Sequence, residues 1–239
     1  MAGTKDKKSA EKRNSERHAG HRQRMRDKFD TVGFDGWSKY EIVEYMLYYA
    51  RPRVNMNNIA HDLLDFSCGN IVDLLDDACI KDKLKCISGV GDEVIRFLRG
   101  LKEFVNYYKR EELKHKRVKL TRSNFNEVVN AIGMSKENEN IFMICLDRRM
   151  QIKNVIDLTV GSDMYGATTE MDRIIRLAAG AKAENVVLLH NHPSGRAEVS
   201  RQDVMFTDRV DSMLKTLDIF LVDHYIIAGG KVVSIKMSG

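Results

Sequence analysis

Residues 186–195 read Val-Val-Leu-Leu-His-Asn-His-Pro-Ser-Gly, and the second half of the chain is best interpreted outward from this stretch. The four apolar residues form a continuous run, which is typical of a strand buried on both faces. Because side chains alternate along a strand, His190 and His192 project to the same side at its end. Pro193 and Gly195 then end the strand and open a loop beside them. The spacing therefore allows both imidazoles to hold one metal ion.

Ser200 and Asp203 follow downstream and allow two interpretations. A catalytic zinc site commonly has three protein ligands and one open position, so Asp203 is a candidate third ligand beside His190 and His192. The pattern Ser-x-x-Asp before the apolar residues 204–206 is equally that of a helix capping box, which needs no metal. An isolated His-x-His pair is also more often structural than metal-binding.

Several residues near this stretch have open roles. Glu139 and Glu170 both lie upstream, and residue type alone does not decide which of them is the general base. Asp223 and His224 form a further acidic and imidazole pair in the last third of the chain. For that pair we favour a strand-end ion pair or a core histidine over a role in the site.

The sequence around these residues alternates between strand and helix patterns. Strands are predicted at 141–146, 151–160, 186–189, 219–228 and 232–237, and helices at 171–183 and 203–217. The pair Gly229-Gly230 between the last two strands predicts a tight hairpin. The second half is therefore predicted to be a mixed α and β domain, and we find no internal repeat.

Residues 37–108 carry apolar residues at helical spacing, which predicts four or five short helices. Ser38 with Glu41 three residues later predicts a capping box at the start of one of them. Arg51-Pro52-Arg53 predicts a break, because proline cannot continue a helix interior. Residues 109–117 have no apolar stripe, and they are interpreted as a linker or as the end of the last helix.

A Gly-Val-Gly turn ahead of an apolar-periodic helix resembles the hairpin of a helix-hairpin-helix motif. In that motif backbone N–H groups at the helix N-terminus contact a DNA phosphate without reading sequence. The two acidic residues after the turn oppose such a contact, and the alternative is that the hairpin only packs helices together. The candidate nucleic-acid contacts are Gly89, Val90, Gly91 and Arg96.

Charge is unevenly placed along the 239 residues. The formal net charge is +5, and the first 28 residues alone hold ten Lys/Arg against four Asp/Glu. Residues 1–20 are therefore predicted to be a disordered basic arm, which either seeks phosphate groups or is a solvated leader.

The composition excludes several classes of protein. With 43% apolar and 31% charged residues, disorder over most of the chain is excluded. No apolar run approaches the ~20 residues of a membrane helix, and the N-terminus lacks the apolar region of a secretory signal. The four cysteines are scattered and form no CxxC pair, which predicts reduced thiols and a cytoplasmic location without membrane association.

The spacing His190-x-His192, seven residues, Ser200, two residues, Asp203 matches the HxHx7SxxD signature of the JAMM (MPN+) metallopeptidase domain. The wording HNHPSG resembles the RadC family in particular. The segments ENIFMICLD, AENVVLLHNHPSG and IFLVDHYIIAGG resemble RadC segments in the expected order. In the first half, YEIVEYMLYYARPR and IAHDLLDFSCGNIVDLL resemble the helical module of that family.

The resemblance implies an α+β protein with two domains. After the arm, residues 21–108 would form a helical bundle with a helix-hairpin-helix, and residues 109–117 a linker. Residues 118–239 would form a JAMM/MPN domain of the cytidine-deaminase-like type, with three layers α/β/α.

The resemblance also implies a catalytic site. Zn²⁺ would be held by His190, His192 and Asp203, and would lower the pKa of its bound water toward ~7. Glu139 takes the position of the general base, because it lies eight residues ahead of Asp147 at the end of the first strand. Ser200 would donate to the developing oxyanion.

The substrate implied by JAMM relatives is a protein or peptide, cleaved at a peptide or isopeptide bond. Two alternatives stay open. One is a DNA-associated docking protein, and the other is a metal-dependent nuclease in DNA repair or recombination. Oligomeric state is not predicted.

Overall fold

The structure, a computed structural model, describes residues 20–52, 54–135, 137–159 and 168–237, with side chains from Asp172 onward in the last range. Almost all of the predicted basic arm, residues 1–20, thus lies outside the described residues. The chain divides into two compact units, with the boundary between Lys102 and Glu103. Each unit has its own apolar core.

The first unit is helical, as predicted. It contains α1 (residues 20–32), α2 (Lys39–Ala50), α3 (Asn57–Phe66), α4 (Ile71–Cys79), a short 3-10 helix (Lys83–Cys86) and the first part of α5 (Asp92–His115). The capping box of α2 is confirmed, since the Ser38 hydroxyl accepts from Glu41 N and the Glu41 carboxylate accepts from Ser38 N. The break ahead of Pro52 is confirmed as well.

Helix α1 is an element that the sequence pattern did not predict. Six of its 13 residues are charged, and Met25 is its one buried apolar residue among those described. Met25 packs with Trp37 and Tyr45 in an aromatic cluster, and Lys28 Nζ lies 4.6 Å from the centre of the Trp37 ring. Phe29, four residues after Met25, packs against the same cluster, so tertiary packing of this short apolar face stabilises the helix.

Helix α5 continues to His115, so residues 109–115 are the end of the last helix, which confirms that alternative, and the linker interpretation of 109–117 is wrong for most of that segment. The boundary between the two units lies earlier, inside this helix. A Glu111–Lys114 ion pair lies on the exposed surface of the helix, and Leu113 packs on the core of the second unit. One partly buried apolar residue in these two turns is too sparse to form an apolar stripe.

The second unit is built around a five-stranded sheet in the order β2-β1-β3-β4-β5. Strands β3 and β4 are parallel, and the other neighbours are antiparallel. The elements are α6 (Phe125–Ile132), β1 (Ile141–Leu146), β2 (Ile152–Asp157), α7 (Thr168–Gly180), β3 (Asn185–Asn191), α8 (Arg201–Lys215), β4 (Phe220–Ala228) and β5 (Lys231–Ser234). All were predicted to within a few residues except α6, which is only two turns long.

Helices cover both faces of this sheet. On one face lie α7 and α8, where Leu214 packs with Leu188 of β3. On the other face lie α6 and the end of α5, where Ile132 and Leu113 pack with Leu189. Because neighbouring strand residues point to opposite faces, the continuous apolar run of β3 contributes to both cores. The predicted α+β class and three-layer α/β/α architecture are confirmed.

The sheet register brings three chain segments together at one edge. His190 near the end of β3 pairs with Ile141 at the start of β1 and with Ile226 of β4. The segment before β1 and the end of β4 therefore lie beside the histidine pair. Across the residues described, no helix has the length and hydropathy of a membrane span.

Candidate metal centre

His190 and His192 lie side by side at the end of β3, as the period of a strand requires. Their ring centroids are 4.8 Å apart and the ring planes are nearly perpendicular, at 89°. His190 is completely buried, whereas His192 is partly open to solvent. Within the described part of the chain, neither ring nitrogen of His190 has a hydrogen-bond partner.

Asn191, the residue between the two histidines, holds the segment that carries Glu139. Its side-chain oxygen accepts from Asn140 N at 2.6 Å, and its amide nitrogen donates to the carbonyls of Ser135 and Asn138 at 2.8 and 3.1 Å. Asn191 was missed at the sequence level. An amide in the middle of a His-x-His pair at a strand end was the only available signal.

Ser200 and Asp203 form the capping box of α8. The Ser200 hydroxyl accepts from Asp203 N at 3.1 Å, and Asp203 Oδ2 accepts from Ser200 N at 2.8 Å. Ser200 Oγ also donates to Asp203 Oδ2 at 2.5 Å, so its single proton is engaged with that carboxylate. The two interpretations of Ser-x-x-Asp are compatible, because the cap places the second carboxylate oxygen, Oδ1, beside His190.

Asp203 is buried, and burial by itself would raise the pKa of its carboxyl. The close approach of His190 and the hydrogen bonds from Ser200 outweigh this effect and hold the pKa well below its usual range. Asp203 is therefore ionised at neutral pH, as a metal-ligating carboxylate must be.

Four predicted site residues come together. Ligand atoms of Glu139, His190 and His192 all lie within 4.8 Å of one another. Asp203 Oδ1 is 3.2 Å from His190 Nδ1, outside hydrogen-bond geometry, and Asp203 Oδ2 is 4.0 Å from His192 Nε2. His190 Nε2 is 3.9 Å from Glu139 Oε2. Two ligands of a tetrahedral zinc ion lie about 3.3 Å apart, so the donor types and spacing fit such an ion.

The ring of His192 has a defined tautomer. Its Nδ1 lies 3.1 Å from the Arg196 carbonyl oxygen, which only accepts. Nδ1 therefore carries the proton, and Nε2 presents its lone pair toward Asp203. Metal-ligating histidines commonly have a partner of this kind on the second nitrogen.

His224 on β4 lies next to this group and is fully buried, as the core-histidine interpretation expects. Its Nδ1 is 2.7 Å from the Thr207 hydroxyl, and that hydroxyl donates to the Asp203 carbonyl at 2.6 Å. Burial, with a smaller effect from His190, lowers the pKa of His224 to about 3, so the ring is neutral. The Asp223 carboxylate accepts from the backbone N–H of His224 and from the Ser234 hydroxyl.

Two further candidates from the sequence are Glu170 and the Gly89 turn of the first unit. The side chain of Glu170, the other upstream glutamate, lies outside the described residues. In the first unit the Gly89 turn has a left-handed backbone, with φ +82°, and Val90 is buried. The guanidinium of Arg96 donates to Glu93 at 2.5 Å. The helix-hairpin-helix stays a prediction, as does nucleic-acid contact by Gly89, Val90, Gly91 and Arg96.

Comparison with known proteins finds a family model for the second half of the chain and relatives that cover both halves. Residues 121–239 match the family model described as a RadC-like JAB domain. A UPF0758 protein of Fusobacterium nucleatum is 32% identical over 218 residues, covering 87% of this chain and 91% of its own length. UPF0758 proteins of Ruegeria pomeroyi and Rhodobacter capsulatus are 27% and 25% identical, over 92% and 90% of this chain.

Proposed function

The chain belongs to the RadC family, and from this premise we propose that it is a zinc-dependent hydrolase that cleaves peptide or isopeptide bonds. The observation that carries the proposal is the convergence of Glu139, His190, His192 and Asp203 at the end of β3. These residues come from three separate segments, so their proximity is not a consequence of local sequence.

His190, His192 and Asp203 are the residues that would hold the ion. The buried ring nitrogens of His190, unpartnered among the described residues, are the strongest structural support, because an unsatisfied buried imidazole is costly without a ligand. When bound, a zinc ion supplies Lewis acidity: it makes a water molecule acidic enough to attack near neutral pH and polarises the bond under attack.

Glu139 is proposed as the general base. Its side chain is 43% exposed, and its carboxylate lies 3.9 Å from His190 Nε2 at the open side of the site. From this position the carboxylate can take a proton from the attacking water and return it to the leaving amine. Asn191 supports this role, since its three hydrogen bonds hold the backbone on both sides of Glu139.

Ser200 is proposed first to orient Asp203. Its hydroxyl proton is engaged with Asp203 Oδ2, so donation to an oxyanion would require Ser200 to release this bond. Because hydrogen-bonded carboxylates adopt fewer orientations, the capping box presents the free oxygen, Oδ1, toward the histidines. The role of Ser200 toward an oxyanion stays a prediction.

Metal content per chain tests the proposed ligands. Purified wild type is expected to hold near one equivalent of zinc by plasma mass spectrometry. His192→Ala and Asp203→Asn are expected to lose most of it, and Asp203→Asn retains a side-chain acceptor for the cap. Asp208→Asn, an exposed carboxylate on the same helix, is the matched control. Wild type without metal after incubation with zinc would refute the proposal.

Activity tests the reaction class. Wild type, Glu139→Gln and Glu137→Gln are compared on isopeptide-linked and linear peptide substrates and on supercoiled plasmid. The proposal expects peptide or isopeptide cleavage that Glu139→Gln abolishes and Glu137→Gln retains. If only the plasmid is cleaved, and the cleavage depends on Glu139, the proposed peptidase activity is refuted and a nuclease activity is supported. Zinc binding without any hydrolysis would favour a docking protein.

A further inference from the structure

Three buried nitrogen atoms in this region lack partners. They are both ring nitrogens of His190 and Nε2 of His224, counted over the residues that the structure describes. Both side chains are fully buried. A buried polar atom without a partner costs free energy comparable to a lost hydrogen bond, so an arrangement that leaves three in adjacent rings calls for an explanation.

Hydrogen bonding determines the tautomer of His224. The Thr207 hydroxyl has a single proton, and its 2.6 Å contact with the Asp203 carbonyl consumes it, because a carbonyl oxygen only accepts. In the 2.7 Å contact with His224 Nδ1 the hydroxyl must therefore accept. Nδ1 carries the proton, and the unpartnered Nε2 of the neutral ring is an acceptor.

His190 would supply the donor that the His224 Nε2 acceptor lacks. When one of its ring nitrogens binds a metal ion, the other carries a proton and requires an acceptor. His192 already has such an acceptor in the Arg196 carbonyl. The two carboxylates near His190 belong to the proposed ligand and base, Asp203 and Glu139, and neither is in hydrogen-bond geometry with it.

The rings of His190 and His224 are neighbours, and a hydrogen bond between them requires the two side chains to approach from their present separation. They lie on the same side of the adjacent parallel strands β3 and β4, with centroids 6.0 Å apart and planes inclined by 19°. Thr207 holds the second ring from its Nδ1 side, which leaves the Nε2 edge as the part able to accept.

We propose that His224 is a positioning residue of the metal centre: its Nε2 accepts the N–H of His190 when an ion occupies the other His190 nitrogen, while Thr207 fixes the His224 ring. This inference rests on the proposed function. It accounts for all three unpartnered nitrogens, since one binds metal and the other two bind each other. It also links the backbone at Asp203 to the ring of His190.

Two substitutions separate the two edges of the His224 ring. In His224→Asn the amide nitrogen replaces Nδ1 and retains the Thr207 contact, but no atom replaces Nε2. In His224→Gln the side-chain oxygen replaces Nε2 as an acceptor, but the Thr207 contact is lost. Zinc affinity is measured by competition with a chromophoric chelator, and stability by thermal unfolding of the metal-free proteins.

The expected result is a roughly 10- to 100-fold loss of zinc affinity in His224→Asn, with substantial recovery in His224→Gln. If His224 had a merely structural role, the Thr207 hydrogen bond would matter more than the Nε2 edge. His224→Asn, which retains that bond, would then have the higher zinc affinity of the two variants. Equal zinc affinity in wild type and His224→Asn would overturn the inference. If wild type itself binds no zinc, the proposed function fails first, and the two failures are thus distinguishable.

A measurement on wild type guards against variants that do not fold. Long-range ¹H–¹⁵N NMR reports which imidazole nitrogen carries the proton. His224 is expected as the Nδ1–H tautomer without metal, and with zinc His190 is expected to show one slowly exchanging N–H. An Nε2–H tautomer of His224 would refute the hydrogen-bond assignment on which the inference depends.

Discussion

The turn between β4 and β5 offers a sharp test of how the loop after His192 is held. Gly229 and Gly230 form this two-residue turn, and both have left-handed backbones, with φ +55° and +77°. A Cβ on Gly229 would lie 2.8 Å from the carbonyl oxygen of Gly195. A Cβ on Gly230 would meet no heavy atom within 4 Å among the described residues. Alanine at the two positions therefore separates steric pressure from backbone strain.

The size of the effect follows from these distances. Ordinary contact begins near 3.4 Å, so Gly229→Ala requires a displacement of about 0.6 Å. The hairpin is held by strand pairing up to Ala228 and Lys231, so the loop is the softer side. Arg196 is the neighbour of Gly195, and its carbonyl lies 3.1 Å from His192 Nδ1. A displacement of this size is enough to lengthen that contact beyond hydrogen-bond range. Loss of the acceptor on the second nitrogen of a proposed ligand is expected to lower zinc affinity about tenfold, the lower end of the range for such partners, which corresponds to roughly 1.4 kcal/mol.

The assay compares zinc affinity and thermal unfolding for wild type, Gly229→Ala and Gly230→Ala. Both variants are expected to lose roughly 1–2 kcal/mol of stability from the left-handed backbone. Only Gly229→Ala is expected to lose zinc affinity as well. Equal zinc affinities in the two variants would refute the idea that this loop contact holds His192.

Three further outcomes are expected. Asn191→Ala leaves polar main-chain groups around Glu139 unpaired and should lower the free energy of unfolding by about 1–3 kcal/mol in urea titrations; an unchanged midpoint would contradict this. Leu63→Ala removes a fully buried side chain from the helical core and should cost about 2–5 kcal/mol by the same measurement, and a smaller loss would mean that the core collapses around it. Burial raises the pKa of the Cys145 thiol to about 12, so at pH 8 its thiolate fraction is on the order of one in ten thousand. Iodoacetamide should modify exposed Cys86 and spare Cys145 in peptide maps, with Cys145 becoming reactive only as pH approaches its pKa or the protein unfolds.

Local sequence patterns were sufficient to predict much of the fold and of the candidate metal centre. The strand period placed His190 and His192 on one side, and the spacing of Ser200 and Asp203 predicted the cap that the structure contains. The continuous apolar run before His190 predicted a strand buried on both faces. Each of these rules depends on neighbours within four residues, which a sequence states directly.

Other features depend on contacts between segments distant in sequence, so no local rule could supply them. Helix α1 forms because Met25 meets Trp37, and packing of Leu113 on the sheet decides between the linker and the helix end that the sequence left open for 109–115. Glu139 was selected by family resemblance alone, and it is the register of β1 against β3 that brings it to His190.

The hydrogen-bond partners of the site show the same division. The acceptor for His192 is a loop carbonyl, and the neighbour of His190 is His224 on a strand that follows a whole helix later. The pairing of the strands decides which residue lies beside His190, and the fold of the loop after His192 decides which carbonyl accepts from it. The sequence by itself determined which residue types were available for a metal centre, whereas tertiary structure decided which of them meet, because long-range pairing of the strands sets those distances.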